Sequence, residues 1–348
     1  MRDILGIQKQ LLPDLLETMK KRYTILHYIR VSGLVGRRTL AGSLNTTERI
    51  MRGEVDFLKE QGLLEVEASG IRISETGRLL LEQIEPLVKD LFGLTELQEQ
   101  LRLHYNLKQV VVVPGDSDVS AHTKKELGLV GASILRKHIT QDEVIAVTGG
   151  STMAEVANHL SPSTALKGCI FVPARGGLGE SVELQANTIA STMAKKTGAR
   201  YRLFHVPDQL GEEAYQSLLQ DGSILEIIAF IRNARIVIHG MGEAMLMARR
   251  RRVDAATTAI LQQDGALAEA FGYYFDRRGI ILHKMPTVGL RIEDIQEMDC
   301  VIGVAGGKSK GEAIAAVLQF GHEDILVTDE AAAIEMVQNL HLGRHSLS

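Results

Sequence analysis

Three features of the sequence predict an α/β chain in which a winged helix-turn-helix precedes a Rossmann-like sheet. Up to about residue 77, helical periodicity is followed by one pair of short strand-like runs. From about residue 105, Val/Ile-rich runs that end in glycine alternate with helical runs. The charge is also unevenly spread. Residues 1–60 hold eleven Lys/Arg against seven Asp/Glu, in a chain of 348 residues and net charge −4, which leaves about −8 beyond residue 60. A mildly basic head on an acidic body suits an N-terminal contact with a polyanion, although an excess of four is small.

With 45% apolar and 24% charged residues the chain is ordinary globular material, long enough for two domains. We expect a DNA-binding head over 1–77, a linker helix over 78–104 and a ligand-sensing α/β domain over 105–348. Charges recur through the first thirty residues, unlike a signal peptide, and no apolar run approaches the roughly 18 residues of a membrane helix. A cytoplasmic protein with no membrane partner is the expectation. Cys169 and Cys300 sit in apolar strand-like runs without a CxxC or a nearby histidine, as buried free thiols do. The eleven histidines lack metal-ligand spacing, so no metal is expected.

Within the head, "QKQLLPDLLETMKKRYTILHYIRV" (8–31) reads as one or two helices, with Leu16, Met19, Tyr23, Leu26 and Ile29 on one face. Pro13 is tolerated near a helix start. "RRTLAGSL" (37–44) is a second, short helix. A third follows in 44–64, with Thr47 as N-cap, a buried stripe of Met51, Val55 and Leu58, and an outer face of Arg49, Arg52, Asp56 and Lys59. "LLEVEASGIRISETG" (63–77) gives two short strands about a Ser-Gly turn. In a winged helix-turn-helix the start of the third helix enters the major groove, where Arg49 and Arg52 could read guanine and Arg37 and Arg38 could hold phosphate. The same pattern would also serve a helical protein-binding module with solvated arginines. Residues 78–102 are Leu-rich, as suits an oligomer contact or a helix docked on its own domain.

In the body, seven runs read as strands: 109–115, 143–150, 169–177, 201–207, 235–242, 300–307 and 324–330. Continuous Val/Ile runs indicate parallel strands covered on both faces, whose ligands bind beyond the carboxyl ends. Four of them end in glycine-rich turns: "TGGST", "ARGG", "HGMGEA" and "AGGKSKGEA". Gly149 and Gly150, followed by Ser151 and Thr152 at a helix start, offer backbone N–H groups and a positive helix end to a phosphate. Lys308, Lys310 and Arg175 are cations on the other turns. Neither GxxxxGK[ST] nor GxGxxG occurs, which argues against a nucleotide. "RRRR" (249–252) reads as a solvated helix end, with Arg250 a candidate phosphate grip. "EAFGYYF" (269–275) reads as a core or subunit patch, beside which Glu269 could accept sugar hydroxyls. Glycine-ended strands also serve tight turning alone; four together point to a ligand with several anionic or hydroxyl groups.

These motifs carry a resemblance. Thr47-Glu48, then Arg52, Glu54 and "EQGLL", are similar to the helix-turn-helix of DeoR-like regulators, with Gly53 where that family commonly has a second arginine. "VTGGSTMAEVA", "FVPARGGLGE", "QANTIA", "HGMGEA", "AFGYYFD" and "VAGGKSKGEAI" resemble the sugar-responsive regulators of the SorC type over essentially the whole chain. The resemblance implies a repressor that binds operator DNA as a homo-oligomer: a dimer, and a tetramer on DNA. Its C-terminal domain would be phosphosugar isomerase/deaminase-like in fold but a sensor in use, with no catalytic residues and no cofactor. The implied effector of the glycolytic branch is fructose 1,6-bisphosphate. By matching motif its contacts are Gly150, Ser151 and Thr152 for one phosphate, with Arg175, Gln185, Glu269 and Lys310 in the corresponding loops. An enzyme of the isomerase or deaminase kind with a regulatory head is the alternative, for which only Glu269 offers itself as a base.

Overall fold

The computed structural model describes residues 11–345, except 45, 178–180, 208–211, 219 and 286. The start of the helix expected from residue 8 therefore lies outside the described residues. Contacts divide the chain into two compact units, Met1–Glu96 and Leu97–Ser348.

In the first unit, α1 (Pro13–Ser32) opens with Pro13 at its first turn and stops at Gly33, whose φ is +74°. Tyr23, Leu26 and Ile29 are buried on it as the spacing requires, while Leu16 and Met19 are half-buried. α2 is Arg37–Ser43 and α3 is Glu48–Glu60. Thr47 caps α3, its hydroxyl accepting the Ile50 N–H at 3.3 Å. Met51, Val55 and Leu58 face inward, at 1% exposure or less. β1 (Leu64–Glu67) and β2 (Gly70–Ile73) form the antiparallel wing, and Val35 bridges to Ile71 beside it. The Ser74 hydroxyl donates to the Gly62 carbonyl at 2.6 Å and accepts the Gly77 N–H at 3.0 Å, which locks the wing to the start of α4 (Glu75–Phe92). Leu81 and Val88 of α4 share one core with Tyr23, Leu40, Val55 and Ile71. The stretch 78–104 thus contains two helices: α4 closes at Gly93, in the left-handed conformation, and α5 (Leu94–His104) follows.

The second unit is built on a parallel sheet. Its strands are β3 (Gln109–Val113), β4 (Val144–Val147), β5 (Ile170–Pro173), β6 (Arg200–Tyr201), β7 (Ile236–His239), β12 (Cys300–Val304) and β13 (Ile325–Asp329). They lie in the order β3-β13-β12-β7-β4-β5-β6. All seven expected strands are present, although the run at 201–207 supplies only Tyr201 to β6, which begins one residue earlier at Arg200. From β4 the chain winds outward through β5 and β6; from β7 it winds the other way through β12 and β13. The switch point lies between β4 and β7, where a doubly wound sheet leaves a crevice beyond its strand ends. α6 (Ala121–His138), α7 (Ser151–His159) and α8 (Ala186–Thr197) are among the helices that cover the sheet. Ile145, Ile236, Ile302 and Val327 of the strands join Leu127, Val156 and Ile189 of these helices in one core. Cys169 and Cys300 are buried and free.

A second, antiparallel sheet was not legible beforehand. β8 (Gly242–Glu243), β9 (Ala268–Ala270), β10 (Tyr273–Phe275) and β11 (Ile281–Lys284) pair in the order β11-β10-β9-β8. The motif 269–275 is therefore a hairpin. Its two-residue turn has φ of +53° at Phe271 and +86° at Gly272, positive at both central positions as tight hairpins favour. Phe271, Tyr273, Tyr274 and Phe275 are all buried, so the aromatics are core.

Candidate functional site

The four glycine-rich turns follow β5, β4, β7 and β12, which are consecutive neighbours in the parallel sheet. Their carboxyl ends open into one cavity of about 310 Å³. That size is at the lower end of the roughly 300–1,000 Å³ typical of small-molecule sites. Gly149, Gly150, Ser151, Thr152, Arg175, Gln185, Arg250, Glu269 and Lys310 all line it.

The β4 turn is shaped by backbone. The Gly150 N–H donates to the Leu184 carbonyl at 2.8 Å, and a Cβ at Gly149 would come within 2.6 Å of that same oxygen. Gly150 has φ +120°, a conformation that side chains disfavour. The first intrahelical bond of α7 runs from Ala154 N–H to the Gly150 carbonyl, so the N–H groups of Ser151, Thr152 and Met153 have no acceptor within the helix. Three such donors at a positive helix end are suited to an anion. The Thr148 hydroxyl accepts the Gly240 N–H at 3.1 Å and ties this turn to the one after β7.

Arg175 and Glu269 meet in the cavity lining. One Glu269 oxygen accepts from Arg175 at 3.1 Å, from Arg251 at 2.9 Å and from the Gly272 N–H at 2.6 Å. Burial pushes the Glu269 carboxyl up, but Arg251, Arg175 and that N–H outweigh it and hold the group below its usual range. A carboxylate kept ionised in this way accepts hydrogen bonds and does not supply a proton. Arg251 corrects one expectation: of the four arginines at 249–252, three are exposed, but Arg251 is 8% exposed and turns inward.

The turn after β12 is carried on carboxylates. Asp329 is fully buried and accepts from Ser117 N–H at 2.9 Å, Gly307 N–H at 2.7 Å and Ala332 N–H at 3.0 Å. Asp118 accepts the Ser309 N–H at 2.8 Å. Lys310 is thereby set against the cavity. Desolvation lowers its pKa, as do the nearby Lys124 and Arg250, with Asp118 and Asp329 acting in the other direction. Lys308 does not line the cavity. Lys124, Arg251 and Asp118 do, and sequence reasoning missed all three. The signal for Arg251 was present in the arginine run; nothing in the local pattern around Lys124 or Asp118 marked them. Among the described residues, five cationic side chains (Lys124, Arg175, Arg250, Arg251 and Lys310) and two carboxylates, Asp118 and Glu269, line the cavity.

In the head, Arg49 and Arg52 are exposed on α3, as are Arg37 and Arg38 at the start of α2. Arg38 pairs with Glu48 at 2.9 Å and Arg37 approaches Asp56 at 3.8 Å. Glu54 faces the other way. It accepts from Arg22 of α1 at 3.0 Å and also pairs with Lys21. Gly53 is exposed, and a Cβ there would meet nothing within 4 Å.

A winged head joined to a doubly wound sheet with a cation-rich crevice defines a ligand-responsive DNA-binding protein. Residues 18–88 match the family model "CggR N-terminal DNA binding domain", and residues 89–338 match the model described as "Putative sugar-binding domain". The chain belongs to the SorC-type family of sugar-binding transcriptional regulators. It is 46% identical over 98% of its length, and all of the relative's, to the central glycolytic genes regulator of Priestia megaterium. The corresponding regulator of Bacillus subtilis is 43% identical over 97% of this chain and all of that one. Among solved structures, a SorC family transcriptional regulator from Enterococcus faecalis has a TM-score of 0.65 at 39% identity, covering 70% of this chain and 99% of that one. The full-length sorbitol operon regulator SorC from Klebsiella pneumoniae has a TM-score of 0.66 over 87% of this chain and 93% of that one; at 17% identity it shows the shared fold alone. Among the described residues, no helix is long and apolar enough to cross a membrane.

Proposed function

We propose that this chain is a cytoplasmic repressor of glycolytic genes whose grip on operator DNA is modulated by a phosphorylated sugar, fructose 1,6-bisphosphate. It is a regulator and not an enzyme. One observation carries the effector class: a cavity whose described lining residues hold five cations against two carboxylates, in a chain whose net charge is −4. Such a site is electrostatically incomplete without an anion of several charges. The Ser151–Met153 amides and Thr152 suit one phosphoryl group, and Arg250 with Lys310 suit a second. Glu269, held ionised, suits a sugar hydroxyl between them, with Arg175 and Gln185 alongside. The relatives named as glycolytic regulators support the same reading.

On the DNA side, Arg49 and Arg52 are the candidates for base contacts. Arg37 and Arg38 occupy the positive end of α2, where local stability favours acidic residues, and this placement supports a contact to phosphate. Thr47 caps the helix and lies at the same surface. A reader of palindromic DNA presents two heads by symmetry, so the chain acts as a dimer, and as a tetramer on the operator. An apolar groove of the head, lined in part by Leu12, Leu15, Leu80 and Leu87, supports the oligomer.

The mechanism is linkage. The bisphosphate prefers one conformational or assembly state, and that state presents the heads unproductively. A coupling of roughly 1–3 kcal/mol weakens operator binding by about 5–150-fold. Gel-shift titration at fixed salt tests this: fructose 1,6-bisphosphate alters the complex and unphosphorylated fructose does not. Equal effects of the two sugars overturn the reading.

A further inference from the structure

We propose that Lys124 completes, with Arg250 and Lys310, a three-cation subsite that takes the effector's second phosphoryl group, and so makes this cavity prefer bisphosphates over monophosphates. The inference rests on the effector reading above and adds to it a residue that sets specificity.

Lys124 projects from the first turn of α6, the helix that follows β3, whereas Arg250 comes from the end of the helix Ala244–Arg250 and Lys310 from the β12 turn. Three separate elements thus bring their cations to the same cavity, close enough that Lys124 and Arg250 act on Lys310. Among the described residues neither Lys124 nor Lys310 forms an ion pair. Lys124 is half-buried and Lys310 loses much of its hydration, so bulk water screens them less than it screens surface lysines. Mutual repulsion is a real part of this cluster: the charges of Lys124 and Arg250 both make Lys310 easier to deprotonate. A dianionic phosphoryl group placed among the three cations relieves that repulsion; a neutral hydroxyl leaves it in place.

Two further observations point the same way. No acidic residue occupies the first turn of α6, where the helix dipole favours one and disfavours Lys124. The cation therefore stands there against local stability. Asp118 is fixed by the Ser309 N–H and lines the same cavity, where its negative charge offsets part of the repulsion at Lys310.

The experiment is calorimetric titration of the full chain and of Lys124→Met with fructose 1,6-bisphosphate, fructose 6-phosphate and fructose 1-phosphate. A lost charge-assisted contact corresponds to about ten- to hundredfold weaker bisphosphate binding. We expect that loss in Lys124→Met, with the better-bound monophosphate changed by less than about threefold, Lys124→Arg retaining the preference and the solvent-facing Lys125→Met behaving as the parent. Bisphosphate binding unchanged in Lys124→Met, or an equal loss for all three ligands, overturns the proposal. Inorganic pyrophosphate separates this from failure of the effector reading. If the parent chain ignores every fructose phosphate, that reading fails. A pyrophosphate-induced rise in melting temperature that Lys124→Met abolishes then still supports the cationic subsite, and one that it leaves intact sinks it.

Discussion

Glu269 shows how much a single buried carboxylate can organise. Two arginines and a backbone amide converge on one of its oxygens, so Arg251, remote from any ligand contact in the sequence reading, becomes the residue that keeps Glu269 ionised and in place. Arg251→Met leaves Arg175 as the remaining cationic partner of the buried Glu269, and the loss of one charge-assisted hydrogen bond is expected to destabilise the second unit by about 2 kcal/mol, measured by urea unfolding. Undiminished stability in that variant would show that Arg175 alone suffices. Gly53 makes the opposite case. It sits in the interior of α3 with open space around its Cβ position, so the helix bears the backbone entropy of glycine with no steric reason for it. Gly53→Ala is expected to stabilise the head by about 1 kcal/mol. The position is also free to accept the arginine that DeoR-like relatives commonly place there, and Gly53→Arg should tighten operator binding with a steeper salt dependence.

At the scale of elements, α3 and the turn after β4 are both set by their first residues. Thr47 satisfies one of the free amides at the start of α3, and Thr47→Ala is expected to cost the head about 1 kcal/mol in thermal or chemical unfolding. Glu54 was legible as a motif residue, but its use was not. It clamps α3 to α1 through Lys21 and Arg22, and those partners hold its pKa down despite the burial that raises it. The turn after β4 keeps its helix amides free because Gly149 can approach the Leu184 carbonyl so closely. Gly149→Ala would force that carbonyl away and disturb the Gly150 N–H bond to it. Effector binding should then fall at least about tenfold, the loss of one charge-assisted contact, while circular dichroism stays unchanged. Binding at the parent level would mean that the amides of this turn do not hold the ligand.

At the scale of the whole sensing unit, the buried core carries a titratable pair. His239 Nε2 lies 3.6 Å from a Glu323 oxygen, with both side chains nearly sealed from solvent. The spacing resembles an ion pair, yet burial pushes the His239 imidazole down to about 4 and the Glu323 carboxyl up to about 8, so both are neutral between those limits. The unfolded chain ionises Glu323 above its ordinary value, so the stability from that group is lost as pH rises toward 8. It protonates His239 below 6.5, so the contribution of that group is lost as pH falls toward 4. The slopes oppose each other in mildly acid solution, and only that of Glu323 remains above pH 6.5. Stability is expected to fall by about 2 kcal/mol between pH 6.5 and pH 8. Denaturant melts of Glu323→Gln should be flat over the same interval; a slope equal to the parent's would assign the fall to other groups.

Much of this architecture was legible in the sequence because it rests on local, periodic signals. The α3 stripe of Met51, Val55 and Leu58, the Thr47 cap, the Ser-Gly wing and the seven Val/Ile runs each announce an element within a few residues. A run of parallel strands ending in glycine also pointed to where the cavity lies, since the sheet aligns those ends at one edge. The hairpin of 268–275 was hidden because its strands are three residues long and its turn depends on Phe271 in a conformation that side chains rarely adopt. Only tertiary structure decided which cations share the cavity. Lys124, Arg251 and Lys310 are far apart along the chain, and nothing in their neighbours distinguishes them from solvated charges. What brings them together is the order in which the strands pack, a choice made by the burial of the whole sheet and not by any one segment.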